Sequence, residues 1–355
     1  MVNSPQMTPN PNRSRAKLTA VDVFAGCGGV SEGLRAAGFR VLAAVEVDPV
    51  AAETYRRNHR ATYVYEADVR TVRAAEMMRR LRLIPGKLDL LAGCPPCQGF
   101  SSVSRLNGAR RIVDRKQKDL LFEMLRFTRA LKPKAVMLEN VRGLGGDRRW
   151  SEFVADLRTA GYKCSYGILD AADFGVPQRR KRLLLLATRS AVVPFARPAK
   201  IGRTVRDAIE KLPRPGKTGD PLHDFPERHS AGIRRLISKI PKDGGSRAEL
   251  EGRFQLPCHK SCDGFKDIYG RMAWDDVAPT ITTGCTNPSK GRFLHPEQHR
   301  AITLREAALL QSFPRRYRFS LARGKQGAAL LIGNAFPPEF VRRNALPIAK
   351  VLRPR

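Results

Sequence analysis

Cys97 follows two prolines in the run Gly93-Cys94-Pro95-Pro96-Cys97-Gln98-Gly99-Phe100-Ser101-Ser102, directly after an apolar stretch. The prolines fix the backbone, so the thiol leaves that stretch at a defined angle. In a basic protein a thiol held this way can be shifted toward thiolate and act as a nucleophile. Glu139, in Glu139-Asn140-Val141, is a second chemical candidate. A carboxyl group at a strand end can be kept protonated by partial burial and donate to a ring nitrogen. Gln178-Arg179-Arg180-Lys181-Arg182 leads straight into Leu183–Leu186, and strand alternation projects Arg180 and Arg182 together. A last group is Val21-Asp22-Val23-Phe24-Ala25-Gly26-Cys27-Gly28-Gly29, with Glu46 placed 20 residues after Gly26. Glycines there admit a ligand close to the backbone under the positive end of a helix. Glu46, and Asp68 beside it, are placed to accept hydrogen bonds from ribose hydroxyls. A nucleoside-type cofactor fits. A nicotinamide enzyme would share the turn and the distant acid, although the third glycine at the dinucleotide spacing is missing.

These residues need a scaffold that gathers strand ends. The first half alternates short apolar strands with helical patterns, as a doubly wound parallel α/β sheet requires. Strands are expected at Thr19–Phe24, Val41–Glu46, Thr62–Glu66, Leu88–Ala92, Ala135–Glu139 and Leu183–Thr188. Helices are expected around Ser31–Ala37, Pro49–Asn58, Arg70–Leu83, Asp119–Leu131 and Ser151–Ala160. In such sheets ligands collect at the carboxyl edge, where each candidate falls. Residues 191–300 hold 11 of the 25 prolines and read as a smaller, loop-rich second domain without a long helix. Helical pattern returns at Leu304–Gln311 and near Glu339–Leu346, so residues 301–355 are expected to pack back on the first domain, residues 18–190. Residues 1–17 read as a disordered lead-in.

With 355 residues the chain can bury a real core. Its 65 lysines and arginines against 33 acids give a net charge of +32, divided equally between residues 1–190 and 191–355. Such a surplus points to a polyanionic partner. The segment Ser104–Lys118, with Arg105, Arg110, Arg111, Arg115, Lys116 and Lys118, reads as a loop closing over a phosphate backbone. No apolar run reaches the roughly 20 residues of a membrane span. Seven scattered cysteines suit a reducing compartment, so a cytoplasmic, monomeric protein is expected. Cys258, His259, Cys262 and Cys285 lack a paired Cys-x-x-Cys knuckle, so no metal site is expected.

Taken together, Phe-Ala-Gly-Cys-Gly-Gly from Phe24, Pro-Pro-Cys-Gln from Pro95, Glu-Asn-Val from Glu139 and Gln-x-Arg-x-Arg from Gln178 resemble the cytosine-5 DNA methyltransferases, in the same order. Arg305-Glu306-Ala307-Ala308 through Gln311-Ser312-Phe313-Pro314, and Gly333-Asn334-Ala335-Phe336-Pro337-Pro338, resemble that family's closing motifs. The resemblance covers about residues 19–190 and 300–345, and between these two stretches only Trp274–Thr283 looks family-like. The resemblance implies a Rossmann-like methyltransferase domain with a target-recognition domain at 191–300. It implies Cys97 as nucleophile, Glu139 as the acid on the cytosine ring, and Arg180 and Arg182 as anchors. S-adenosyl-L-methionine would be lined by Phe24, Ala25, Gly26, Cys27, Gly28, Gly29, Glu46, Val47, Asp68, Val69, Pro95, Asn334 and Ala335. Double-stranded DNA would meet Gln98, Ser101, Arg110, Arg111 and Thr280. Phe336 stands where the family usually has valine. An RNA-directed member of the family is the neighbouring alternative, whereas a nicotinamide oxidoreductase leaves Cys97 and Gln178–Arg182 unexplained.

Overall fold

Seven strands form one sheet in the order β3-β2-β1-β4-β5-β7-β6. The computed structural model describes residues 17–96, 120–227, 229–251, 254 and 267–353. The chain runs β1 (Leu18–Val23), α1 (Gly29–Ala36), β2 (Phe39–Glu46), α2 (Pro49–Asn58), β3 (Tyr63–Glu66), α3 (Ala74–Leu81) and β4 (Leu90–Gly93). It continues through α4 (Leu120–Leu131), β5 (Ala135–Val141), α5 (Arg148–Thr159), β6 (Lys163–Asp170) and β7 (Lys181–Thr188). Beyond the sheet lie α6 (Val205–Ile209), α7 (Ala231–Lys239), α8 (Leu304–Leu310), α9 (Gly324–Asn334) and α10 (Pro338–Leu352).

Strands β1 to β5 are mutually parallel, and β7 runs antiparallel to both β5 and β6. The order reverses between β1 and β4, the switch point where such sheets open a crevice at their carboxyl edge. Because β7 is reversed, its first residues reach that edge: Arg182 stands opposite Val141, and Leu184 opposite Glu139.

Alternation within the strands builds two layers. Val21 and Val23 face a cluster with Met77, Met124, Phe127, Trp150 and Phe153 from α3, α4 and α5. Ala20, Leu90, Met137 and Leu184 face Leu34 of α1 and Phe340, Val341 and Ile348 of α10. α1 and α10 touch closely enough that a Cβ on Gly33 would lie 2.4 Å from the Pro338 carbonyl oxygen. Phe336 packs edge-on against Phe340 at 5.1 Å between centroids, so its ring joins this layer.

A third cluster joins Val205, Ile209, Met272, Trp274 and Ile281 to Leu304, Phe313, Tyr317 and Ile332, with Cys27 and Ala51 at its border. Arg271, next to Met272 of this cluster, is fully buried, and its guanidinium donates to the carbonyls of Ile237, Ile240, His295 and Gln298. Four carbonyls thus hold the end of α7 against the 295–298 turn, replacing an ionic partner with hydrogen bonds.

Three elements differ from the pattern-based expectation. β6 is an edge strand whose alternation Tyr166, Ile168 points outward, leaving little apolar signal. α9, glycine-bearing and buried at Ala328, Ala329, Leu331 and Ile332, has a weak amphipathic pattern because its apolar residues surround it. α3 starts at Ala74, since Asp68 organises residues 68–71 into a turn. Among the described residues no helix is long and apolar enough to cross a membrane.

Candidate active site

The glycine turn after β1 is held from below and open above. Phe24, Gly26 and Gly28 all have positive φ (61°, 54° and 97°), a conformation only glycine adopts at little cost. A Cβ on Gly26 would meet nothing within 4 Å, whereas one on Gly29 would sit 2.4 Å from the Phe336 carbonyl oxygen. The turn therefore offers space at Gly26 and is closed at Gly29 by the segment after α9, which brings Asn334 and Ala335 to this end of the sheet.

Glu46, at the end of β2, accepts from the Gly26 amide through Oε2 (2.7 Å) and from the Asp48 amide through Oε1 (2.8 Å). It ties the glycine turn to the start of α2, where Asp48 caps Val50 and Ala51. Burial raises its pKa, partly offset by those two amides. The next residue, Val47, is 64% exposed. Asp68 lies two residues past β3 and is engaged by Arg70, while Val69 is buried in the core. Beneath the turn, Asp22 is fully buried: Oδ2 accepts from Ser31 (2.6 Å), and Oδ1 has no partner. Burial pushes it to about 7. An open turn, a strand-end carboxylate, an exposed apolar side chain and an orphaned buried oxygen suit a zwitterionic nucleoside cofactor.

The second half of the site lies on β4, β5 and β7. Glu139 Oε1 is 2.9 Å from Arg182 Nε, with both side chains largely buried. Burial together with the Glu139 charge drives the Cys94 thiol well above its usual range. Asn140 donates through Nδ2 to the Pro95 carbonyl (3.1 Å), fixing the backbone just before Cys97. Burial also pushes Cys27 and Cys285 up to about 12 and raises Cys164. Every described cysteine is thus a poor thiolate. Cys97, Gln98, Ser101, Arg110 and Arg111 lie outside the described residues, as do Cys258, His259 and Cys262.

Arg180 and Arg182 have different partners. Arg180 is buried and donates to the Ile281 carbonyl (3.1 Å) and the Gly333 carbonyl (3.0 Å), leaving Nε unpaired. Burial, and then Arg182, lower it to about 9. Gln178, fully buried, accepts from the Ile281 amide (2.7 Å) and donates to Gln311 Oε1 (2.8 Å). Thr280 donates to the Arg179 carbonyl (2.8 Å). The segments at 178–182, 278–282, 311 and 333 are therefore one hydrogen-bonded hub. The sequence motifs locate these segments, but their mutual contacts run mostly to backbone carbonyls, which leave no side-chain signature. Asn140 acquires its Pro95 carbonyl partner for the same reason.

The site and sheet define an α/β methyltransferase architecture. The chain matches the C-5 cytosine-specific DNA methylase family over residues 18–350. It is 36% identical over 348 residues to the Type II methylase M.HgiDII of Herpetosiphon aurantiacus, covering 94% of this chain and 95% of that one. It is 30% identical over 344 residues to the Type II methyltransferase M1.HphI of Haemophilus parahaemolyticus, covering 94% and 87%. Among solved structures, the Dnmt2 methyltransferase of S. pombe shares the fold with a TM-score of 0.60 at 21% identity, over 95% of this chain and 100% of that one. The chain belongs to the C-5 cytosine-specific DNA methylase family and is a DNA (cytosine-5-)-methyltransferase.

Proposed function

We propose that the protein methylates carbon 5 of a cytosine flipped out of double-stranded DNA, using S-adenosylmethionine and a covalent Cys97 adduct, within a sequence chosen by residues 191–300. The observation that carries this reading is the Glu139–Arg182 pair at the carboxyl edge, beside the Pro95 backbone that leads to Cys97. Glu46 and the Phe24–Gly29 turn would hold the cofactor, with Val47, Asp68, Pro95, Asn334 and Ala335 around it. When bound there, S-adenosylmethionine supplies an electrophilic methyl group.

Carbon 5 of cytosine is a weak nucleophile. The Cys97 thiolate adds to carbon 6 while Glu139 holds nitrogen 3, which makes carbon 5 electron-rich enough to take the methyl group. Loss of the carbon 5 proton and expulsion of Cys97 then restore the ring. Arg182 keeps the Glu139 carboxyl in place throughout. Flipping costs a few kcal/mol, which phosphate contacts of a chain with net charge +32 offset. The similarity to Type II methylases supports sequence-specific modification as part of a restriction-modification system.

A duplex carrying 5-fluorocytosine at the target tests the mechanism, because fluorine cannot leave as a cation. An adduct that survives denaturing electrophoresis, needs S-adenosylmethionine and vanishes in Cys97→Ser is the expected result. An adduct that persists in Cys97→Ser, or maps to Cys94, would overturn it. Bisulfite sequencing of DNA from an expressing host reads the target sequence, and equal transfer to transfer RNA would favour the RNA-directed alternative.

A further inference from the structure

The underside of the glycine turn is gripped by a side chain that arrives from nearly 290 positions later in the chain. Tyr317 is buried, and its hydroxyl donates to the Cys27 carbonyl at 2.5 Å. His59 Nε2 lies 3.0 Å from the same hydroxyl, and Arg35 Nη1 lies 3.3 Å from His59 Nδ1. The directions follow from donor inventory. Arginine only donates, so Nδ1 accepts and Nε2 carries the proton. Nε2–H therefore donates to the Tyr317 oxygen, which leaves the phenolic hydrogen for the Cys27 carbonyl. Burial keeps this imidazole neutral, at about 3, and holds the phenol protonated. Each link in Arg35, His59, Tyr317 and Cys27 is thus a hydrogen bond of one defined sense.

The fit around Gly28 is tight. A Cβ there would lie 2.5 Å from the Tyr317 hydroxyl and 2.6 Å from His59 Nε2. On the upper side the Gly26 amide is held by Glu46. The turn is thus held at two adjacent residues, at the Gly26 amide by Glu46 and at the Cys27 carbonyl by Tyr317, while the space beside Gly26 stays open.

We propose that Tyr317, aligned by His59, is a positioning residue for the cofactor: its hydroxyl sets the Cys27–Gly28 peptide and thereby pre-forms the turn that binds S-adenosylmethionine. The inference rests on the cofactor site proposed above. Pre-formation lowers the ordering cost of binding, so its loss appears in affinity for the cofactor and leaves the chemical step alone.

The test compares full-length variants by S-adenosylmethionine calorimetry, steady-state kinetics and thermal melting. Tyr317→Phe should raise Kd and KM for S-adenosylmethionine about fivefold to tenfold, with kcat at saturating cofactor and KM for DNA unchanged. His59→Gln, whose amide keeps a donor for the Tyr317 oxygen, should retain wild-type affinity, while His59→Leu should follow Tyr317→Phe. Phe319→Leu, which trims a ring packed 5.2 Å from Tyr317, should lower the melting temperature without moving Kd. A Kd unchanged in Tyr317→Phe and His59→Leu but weakened in Glu46→Ala would overturn the inference and leave the cofactor site standing. A Kd raised equally by Phe319→Leu would also overturn it, since packing would then explain the effect. A Kd unmoved by all of these, Glu46→Ala included, would overturn the cofactor site itself.

Discussion

Glu139 and Arg182 meet at 2.9 Å because β7 runs against β5: Arg182 stands opposite Val141, one diagonal step from Glu139 on the same face. With side chains 12% and 17% exposed, the pair lies between a surface ion pair and a buried one. Its loss should therefore cost between about 1 kcal/mol and the 3 to 5 kcal/mol of a fully buried pair. Arg182→Met should be destabilised within that interval, and the Glu139→Gln, Arg182→Met double variant by less than the sum of the singles. Urea unfolding of the four proteins checks this. Strict additivity would show that the two side chains act independently.

Two glycines should respond to alanine for different reasons and to different degrees. A Cβ on Gly333 would sit 2.4 Å from both the Thr282 carbonyl carbon and the Thr283 nitrogen, backbone atoms that cannot step aside. Gly333→Ala should cost about 3 kcal/mol or more, beyond the usual overpacking range. Gly26→Ala meets nothing within 4 Å and carries only the left-handed strain of its φ of 54°. It should cost about 1 to 2 kcal/mol while weakening S-adenosylmethionine binding. Denaturant midpoints alongside calorimetry separate the two effects.

His295 gives a pH signature. Its Nδ1 accepts from the Glu297 and Gln298 amides at 3.1 Å, and burial lowers its pKa to about 4. Above pH 6.5 the imidazole is neutral both folded and unfolded, so its full contribution is present. Between 6.5 and about 4 the unfolded chain binds a proton that the native one does not, and that contribution declines. The stability advantage of wild type over His295→Asn should shrink by about 1.4 kcal/mol per pH unit in that window. A pH-independent difference would mean that the imidazole titrates normally in the fold.

Binding to non-cognate duplex should weaken steeply with salt, each neutralised phosphate adding about −0.9 to the slope of log affinity against log salt. Alanine at Arg110, Arg111 and Lys116 together should flatten that slope by roughly two to three such increments. Fluorescence anisotropy at several salt concentrations measures it. An unaltered slope would remove these side chains from the DNA interface.

The sequence by itself determined the five parallel strands, the glycine turn and the placement of Glu46 at a strand end, although β5 runs two residues past Glu139, to Val141. Those features are local: apolar alternation specifies a strand, an adjoining glycine or acid marks its end, and α2 begins where Asp48-Pro49 predicts. Tertiary structure decided the direction of β7, on which the Glu139–Arg182 contact depends, because nothing in Leu183–Thr188 distinguishes a parallel strand from an antiparallel one. It likewise decided that Arg180 would grip the carbonyls of Ile281 and Gly333, and that Tyr317 would support Cys27. Each of those bonds spans 100 residues or more and ends on a backbone oxygen that every residue possesses. Side-chain type can announce a donor in advance. Only the folded path of the chain selects which carbonyl it meets.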